Sequence, residues 1–224
     1  MSSSSRCWGT TTHMSVSSKT LLKNSREQRM KKAKNDVNIH IALIDIDGVI
    51  ADCTHRLKYA DAKDYDKFYS EEEMMKDEPM AANINTINAM VTAMQNVTGE
   101  GKALDACTVV ALSGRPQHTV ATTRKWLKKF NNGFEDAVDV WAFRRTHDFR
   151  PSEVVKAENV MSVIKAVDMF YETEKGKDVN VHVSFTIIDD DPKNIKAIKK
   201  IVQENIPSLS DNAFCCLTVG TNRL

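Results

Sequence analysis

The sequence predicts an α/β fold in three layers, a parallel sheet with helices on both faces. Three observations predict it: apolar runs of strand length alternate with helical stretches, the runs become continuous as buried strands do, and polar clusters stand at their carboxyl ends. Ile39 to Ile46 alternates into a continuous apolar run that ends in acids, a buried strand. A polar stretch dotted with aromatic residues follows from Cys53 to Glu78. Pro79 then precedes an amphipathic helix whose Ile84, Ile87, Met90, Val91 and Met94 fall at helical spacing, a pattern of core packing. Thr108 to Leu112 reads as a second buried strand, broken at Ser113-Gly114-Arg115-Pro116. The rest reads as a helix from about Gln117 to Phe130, a strand near Ala137 to Phe143, a helix from Glu153 to Tyr171, a strand from His182 to Ile188, a helix from Asn194 to Glu204, and a strand from Phe214 to Val219. Ligands of such Rossmann-like sheets bind beyond the carboxyl ends of the strands. Asp45 and Asp47, Ser113 and Arg115, and Asp189 to Asp191 all stand there.

Length and composition bound the rest. The 224 residues suffice for one main domain, and 42% hydrophobic with 27% charged residues is ordinary for a globular chain. The net charge of +1 gives no global sign of a nucleic-acid or membrane partner. The charge is uneven, however: residues 1–40 hold eight Lys or Arg against Glu27 and Asp36. Removing these from the totals of 31 and 30 leaves 23 basic and 28 acidic residues, a formal −5. Residues 1–38 therefore read as a basic, Ser- and Thr-rich leader, with three readings open: a mitochondrial transit peptide, a disordered or cloning-derived segment, or a basic arm that contacts RNA. The domain proper is 39–224. Five cysteines, Cys7, Cys53, Cys107, Cys215 and Cys216, show no CxxC spacing, which fits a reducing compartment. No apolar run approaches the roughly 18 residues of a membrane span. The reading is an intracellular chain without a membrane partner, cytoplasmic, or mitochondrial if the leader is a transit peptide.

Asp45 and Asp47, at i and i+2 after a buried strand and before Gly48, leave the sheet toward one crevice. One aspartate there can attack phosphorus, and its partner can protonate the leaving oxygen if its surroundings keep it protonated for part of the cycle. Phosphate monoesters hydrolyse so slowly that the charge on their oxygens has to be neutralised. Magnesium held by one or two carboxylates does this, and Asp189 and Asp190 can supply the further ligands. Singly, a DxD or DD pair is more often a cap or turn. Four acids at two strand ends, with a strand-end Ser113 and a downstream Lys156, point to a site.

These residues resemble, in order, the four motifs of the haloacid dehalogenase-like (HAD) hydrolase superfamily: Asp45-Ile46-Asp47-Gly48-Val49, a second ending in Ser113, Lys156, and Ile187-Ile188-Asp189-Asp190. The likeness covers roughly residues 39 to 220. Val49 stands where many members carry Thr. The resemblance implies a HAD-like fold with a small cap insertion after the first strand, here within residues 53–103, and magnesium held by Asp45, Asp47, Asp189 and Asp190. It further implies that Asp45 forms an aspartyl-phosphate, that Asp47 is acid then base, that Ser113 hydrogen-bonds the phosphoryl group, and that Lys156 offsets its charge. The lesser alternatives are that Lys156 is a solvated helix lysine and Ser113 a turn residue before Gly114.

A narrower likeness is to the phosphatase half of bacteriophage-type polynucleotide kinases. It rests on Ala51-Asp52-Cys53-Thr54-His55-Arg56, on Ser113-Gly114-Arg115-Pro116, and on Asp148-Phe149-Arg150-Pro151 leading to Val154-Val155-Lys156. It implies that Arg56 and Arg115, with Gly114, serve the substrate; each arginine could instead pair with an acid. Ser152 and Asp191 depart from that family, which usually has an aspartate and an arginine there. The GxxxxGK[ST] of a kinase half is absent. Tyr59, Tyr65, Phe68 and Tyr69 read either as a small lid or as packing of the insertion. The expected function is a magnesium-dependent phosphomonoesterase acting on a phosphorylated nucleotide or a nucleic-acid 3′-phosphate end. The alternatives are a phosphatase of an unrelated small metabolite, or a non-enzymatic HAD-fold component of a nucleic-acid-binding assembly.

Overall fold

A computed structural model of the chain describes residues 36–130, 133–175 and 179–219. The leader readings fall outside those residues, except that the first strand, β1, already begins at Asp36 and runs to Ile44. Its side chains alternate across the sheet: Val37, Ile39, Ile41 and Leu43 enter one core cluster, and Ala42, Ile44 and Ile46 the other. Apolar on both faces, this segment can only be an interior strand.

Five strands form the sheet in the order β5-β4-β1-β6-β7, all parallel, with β4 at Ala106–Pro116, β5 at Val140–Arg144, β6 at Asn180–Asp189 and β7 at Phe214–Thr218. A small antiparallel pair of two-residue strands, β2 (Ala51–Asp52) and β3 (Glu78–Pro79), joins the two ends of the insertion and so closes residues 53–77 into one excursion. Within it are three short helices, α1 (Leu57–Asp61), α2 (Tyr65–Phe68) and α3 (Glu71–Met74). One core face is covered by α4 (Ala81–Asn96), α5 (Val120–Lys129) and α6 (Phe134–Ala137); the other by α7 (Ser152–Lys175) and α8 (Pro192–Asn205).

The helices bury the faces that their spacing demands. In α4, Ile84, Ile87 and Val91 are buried, with Met90 and Met94 partly buried against the same cluster. Ile195, Ile198 and Val202 do the same for α8, each side chain of this size contributing about 1.5–3 kcal/mol on full burial. The expected strand end at Leu112 differs, because β4 continues to Pro116. Its register with β5 shifts between Ser113 and Pro116, a bulge that takes Gly114 and Arg115 out of the regular ladder. Local sequence reads Ser-Gly-Arg-Pro as a break, whereas pairing with β5 holds it in the sheet. The order of strand addition reverses at β1: β4 and β5 build outward on one side of it, β6 and β7 on the other. Such a switch point leaves a crevice at the carboxyl ends of the central strands.

Candidate active site

The loop that leaves β1 is wound tightly. Asp45 N–H donates to Ile188 O at 3.0 Å, stitching the strand end to β6, and Ile46 O accepts from Ile50 and Ala51 N–H at 2.9 and 2.8 Å. Gly48 has φ +80°, and a Cβ on it would lie 2.3 Å from Asp190 Oδ2. Glycine is therefore required twice there, for the left-handed backbone and for the approach of the acid.

The structure brings Asp45, Asp189 and Lys156 together from β1, β6 and α7. Lys156 Nζ sits 2.7 Å from Asp45 Oδ2 and 2.7 Å from Asp189 Oδ2, and all three side chains are buried. One oxygen each from Asp45, Asp189 and Asp190 lie within 4.8 Å of one another, a group that can hold a metal ion. An all-carboxylate set of this kind suits a hard divalent cation. Asn194 supports the fit. Its Nδ2 donates to Asp189 Oδ1 at 2.8 Å, and its Oδ1 is the buried side-chain polar atom that, among the described residues, has no hydrogen-bond partner. Asn194 lines the same crevice, so a cation or its water shell would satisfy that oxygen. Burial pushes the Asp45 carboxyl up to about 8, with Lys156 opposing and Asp189 adding to the rise. Burial also works against the Lys156 ammonium, but Asp45 and Asp189 outweigh it and hold its pKa above the ordinary lysine value.

Asp47, on the same crevice, has a different set of partners. Arg115 donates to it from Nε at 3.0 Å and Nη2 at 2.6 Å, and Arg56 from Nη2 at 2.6 Å. Both guanidinium groups also grip Asp77: Arg56 from Nε at 2.8 Å and Nη2 at 3.0 Å, Arg115 from Nη2 at 2.8 Å. Arg56 further stacks over Phe68 at 4.3 Å and donates to Phe68 O, while Arg115 Nη1 donates to Thr123. The two arginines that the resemblance assigns to substrate are thus fully buried and engaged with two aspartates, and the Asp47 carboxylate lies outside the three-acid group. Burial works against the Asp47 charge, but Arg115 and Arg56 outweigh it and hold its carboxyl far below the usual range. Asp47 keeps a 25% exposed side chain and lines the crevice.

The crevice itself is a cavity of about 470 Å³ beyond the strand ends, with Asp45, Asp47, Lys156 and Asp190 on its wall and Phe68 and Tyr69 of the insertion on its rim side. Gly114 lines it too; Ser113 is fully buried, its Oγ accepting Arg115 N–H at 3.2 Å. Cys53 also borders it, yet burial, with Asp47 adding, pushes that thiol up, so it stays protonated. The two departures noted in the sequence have local roles. Asp191 caps α8, its Oδ1 accepting Lys193 N–H at 2.9 Å ahead of Pro192 in the first turn. Ser152 opens α7 and packs so near Gly114 that a Cβ there would meet its Oγ at 3.1 Å.

Sequence reasoning missed Asp77 and Asn194. Asp77 sits in the acid-rich run Glu71–Glu78 with no spacing to single it out. Its backbone is fixed from afar, its carbonyl accepting Trp126 Nε1–H at 2.8 Å. Asn194 had a usable signal: five residues after Asp189, across a Pro-initiated helix start, it returns to the acids.

No family model and no curated protein matches the chain. Among solved structures it is similar to a chain of the Pnkp1/Rnl/Hen1 RNA repair complex, at 16% identity and a TM-score of 0.42, over 95% of this chain. The match spans 59% of that longer chain. Among the described residues, no helix is long and apolar enough to cross a membrane.

Proposed function

We propose that the chain is a magnesium-dependent phosphomonoesterase of HAD-like type, working through an aspartyl-phosphate on Asp45 and acting on a phosphorylated nucleotide or nucleic-acid end. The observation that carries the reading is the buried Lys156 bridging Asp45 and Asp189 beside Asp190, inside a crevice at the switch point of the sheet.

In the first half-reaction an Asp45 oxygen bonds to phosphorus as the bond from phosphorus to the leaving oxygen breaks, and an alkyl leaving oxygen takes its proton from Asp47. Ile46 N–H, donating to Asp45 Oδ1 at 2.8 Å, and Lys156 hold the carboxylate in place for attack. Lys156 also brings positive charge to the phosphoryl oxygens. Magnesium held by Asp45, Asp189 and Asp190 would neutralise the remaining charge on those oxygens. In the second half-reaction water attacks phosphorus, the bond to Asp45 breaks, and Asp47 takes the water's proton. Arg56 and Arg115 act through Asp47 as positioning residues, keeping it ionised and oriented.

The same arginines limit Asp47 as an acid. An aspartate held ionised donates poorly to a leaving alkoxide, so esters whose leaving group departs without a proton are expected to turn over fastest. Two measurements test the reading. Hydrolysis of 4-nitrophenyl phosphate should require magnesium and fall by at least about 10³-fold in Asp45→Asn; turnover retained by the variant removes the nucleophile. Asp47→Asn should slow an alkyl phosphate more than the nitrophenyl ester, and equal slowing of both would remove Asp47 as the acid for the leaving oxygen.

A further inference from the structure

Next to the crevice lies a second cavity, of about 660 Å³, and the two share Tyr69 and Arg144 as a common wall. Its other walls come from α2 and the turn after it, from the start of α5, and from the loop between β5 and α7. Two aromatic side chains line it in the open: Tyr65, 47% exposed, and Phe149, 79% exposed. A phenylalanine left so far in water forgoes the burial that normally decides where it sits.

The loop that presents Phe149 is braced from several sides. Arg144 Nε donates to Gly114 O at 2.8 Å and its Nη1 to Asp148 O at 2.9 Å, tying loop to strand. Arg150 pairs with Asp148 through Nε and Nη2, and with Glu158 on α7 through Nη1 and Nη2. His147 turns the chain in the left-handed region at φ 67°, uncommon for a non-glycine residue. Phe149 therefore stands on a held loop, and a held aromatic binds at lower entropic cost than a mobile one. Arg145, exposed on the same wall, makes none of the hydrogen bonds that fasten Arg144 and Arg150. His118 and His147 add polar ring edges.

We infer that this cavity is the subsite for the nucleoside of the substrate: a planar base stacks on Phe149 and Tyr65 and is edged by Arg145, while its phosphate reaches past Tyr69 and Arg144 to Asp45. The inference rests on the phosphohydrolase reading for the position of the phosphate and deepens it by naming the leaving group. A mononucleotide and the terminal nucleotide of a strand share this chemistry.

The test compares a nucleoside monophosphate with the ribose phosphate that lacks only the base. Wild type should prefer the base-bearing ester in kcat/KM by about tenfold or more, the worth of one base stacked on an aromatic residue. Phe149→Ala should bring that preference close to one and leave ribose phosphate turnover unchanged. Equal wild-type rates on both esters, or a Phe149→Ala loss shared by both, overturns the subsite. Calorimetric binding of the same two ligands to Asp45→Asn reads the subsite without catalysis: a base-dependent affinity lost in Phe149→Ala supports it even if no ester is hydrolysed, and equal affinities overturn it. Failure of the phosphohydrolase reading shows instead as absence of turnover on every ester. A 3′-phosphorylated oligonucleotide run beside 3′- and 5′-mononucleotides separates the strand end from the free nucleotide. A phosphotyrosine peptide preferred over all of them overturns the nucleoside assignment.

Discussion

Two charge clusters share one loop and could hardly differ more. Around Asp45 there are three carboxylates, those of Asp45, Asp189 and Asp190, against the single ammonium of Lys156, a formal deficit of two positive charges in a largely buried place. Around Asp47, two residues on, two carboxylates meet two guanidinium groups and the formal charge is zero. The first cluster is open to a divalent cation, and the second is closed. Asp45 and Asp47 line one crevice, yet the tight turn wound on Ile46 O gives each its own set of partners, so a single Asp-x-Asp serves both clusters. The consequence is electrostatic: burial raises the Asp45 carboxyl while Arg115 and Arg56 depress that of Asp47.

Removing one cation from the closed cluster should break the contrast most severely. Arg115→Ala leaves Asp47 and Asp77 sharing Arg56, with Asp77 fully enclosed, and a buried pair deprived of one partner typically loses about 3–5 kcal/mol. Urea unfolding measures this loss directly. Arg115→Lys should recover little of it, because an ammonium cannot reproduce the fork that meets Asp47 and Asp77 at once; recovery to wild-type stability would show that only the charge matters.

The open cluster should respond in the opposite direction, to something added. Magnesium at about 100 times its dissociation constant should stabilise the fold by about 2.7 kcal/mol, and Asp190→Asn should remove most of that gain. At a fixed magnesium concentration the gain should also grow as pH rises from 6 to 8. With its pKa raised to about 8, Asp45 is protonated in the metal-free protein below that pH, and metal binding has to displace the proton. A thermal shift that is equal at both pH values would remove Asp45 from the ligand set.

How much of this was legible in the chain divides along the same line. The parallel sheet and both core faces follow from local pattern, whereas the strand order does not: the runs at Ile39–Ile46 and His182–Ile188 and the i, i+3, i+7 spacing of Ile84, Ile87 and Val91 can form little else. The open cluster was legible because its acids sit directly at strand ends, where a motif is also a place in the fold. The closed cluster was only half legible. Arg56 and Arg115 stood out, but their partner Asp77 is chosen by Trp126, Arg56 and Arg115 from three separate segments, and no spacing records that. Likewise Ser113 to Pro116 reads as a turn from its own residues, and becomes strand only through β5.

A smaller effect sharpens the comparison with a group that has neither kind of charged partner. His40 lies on β1, the strand that leads into Asp45. Its ring nitrogens meet only hydroxyls, Nδ1 with Ser184 Oγ at 2.8 Å and Nε2 with Thr186 Oγ1 at 2.9 Å. Ser184 also donates to Ile39 O, so it accepts from Nδ1–H, and the neutral ring is satisfied by Thr186 donating to Nε2. With no counter-charge, burial alone lowers the His40 pKa. Between the lowered folded value and the unfolded value of about 6.5, the unfolded chain binds the extra proton, so stability rises with pH. It is fully present above about pH 6.5 and is lost below it, at no more than about 1.4 kcal/mol per pH unit. Thermal unfolding at pH 7.5 and 5.5 should show a larger fall for wild type than for His40→Gln, which keeps a donor and an acceptor but cannot titrate. If the two fall equally, uncompensated burial is not what distinguishes His40, and the opposite fates of Asp45 and Asp47 would owe less to their partners than the geometry implies.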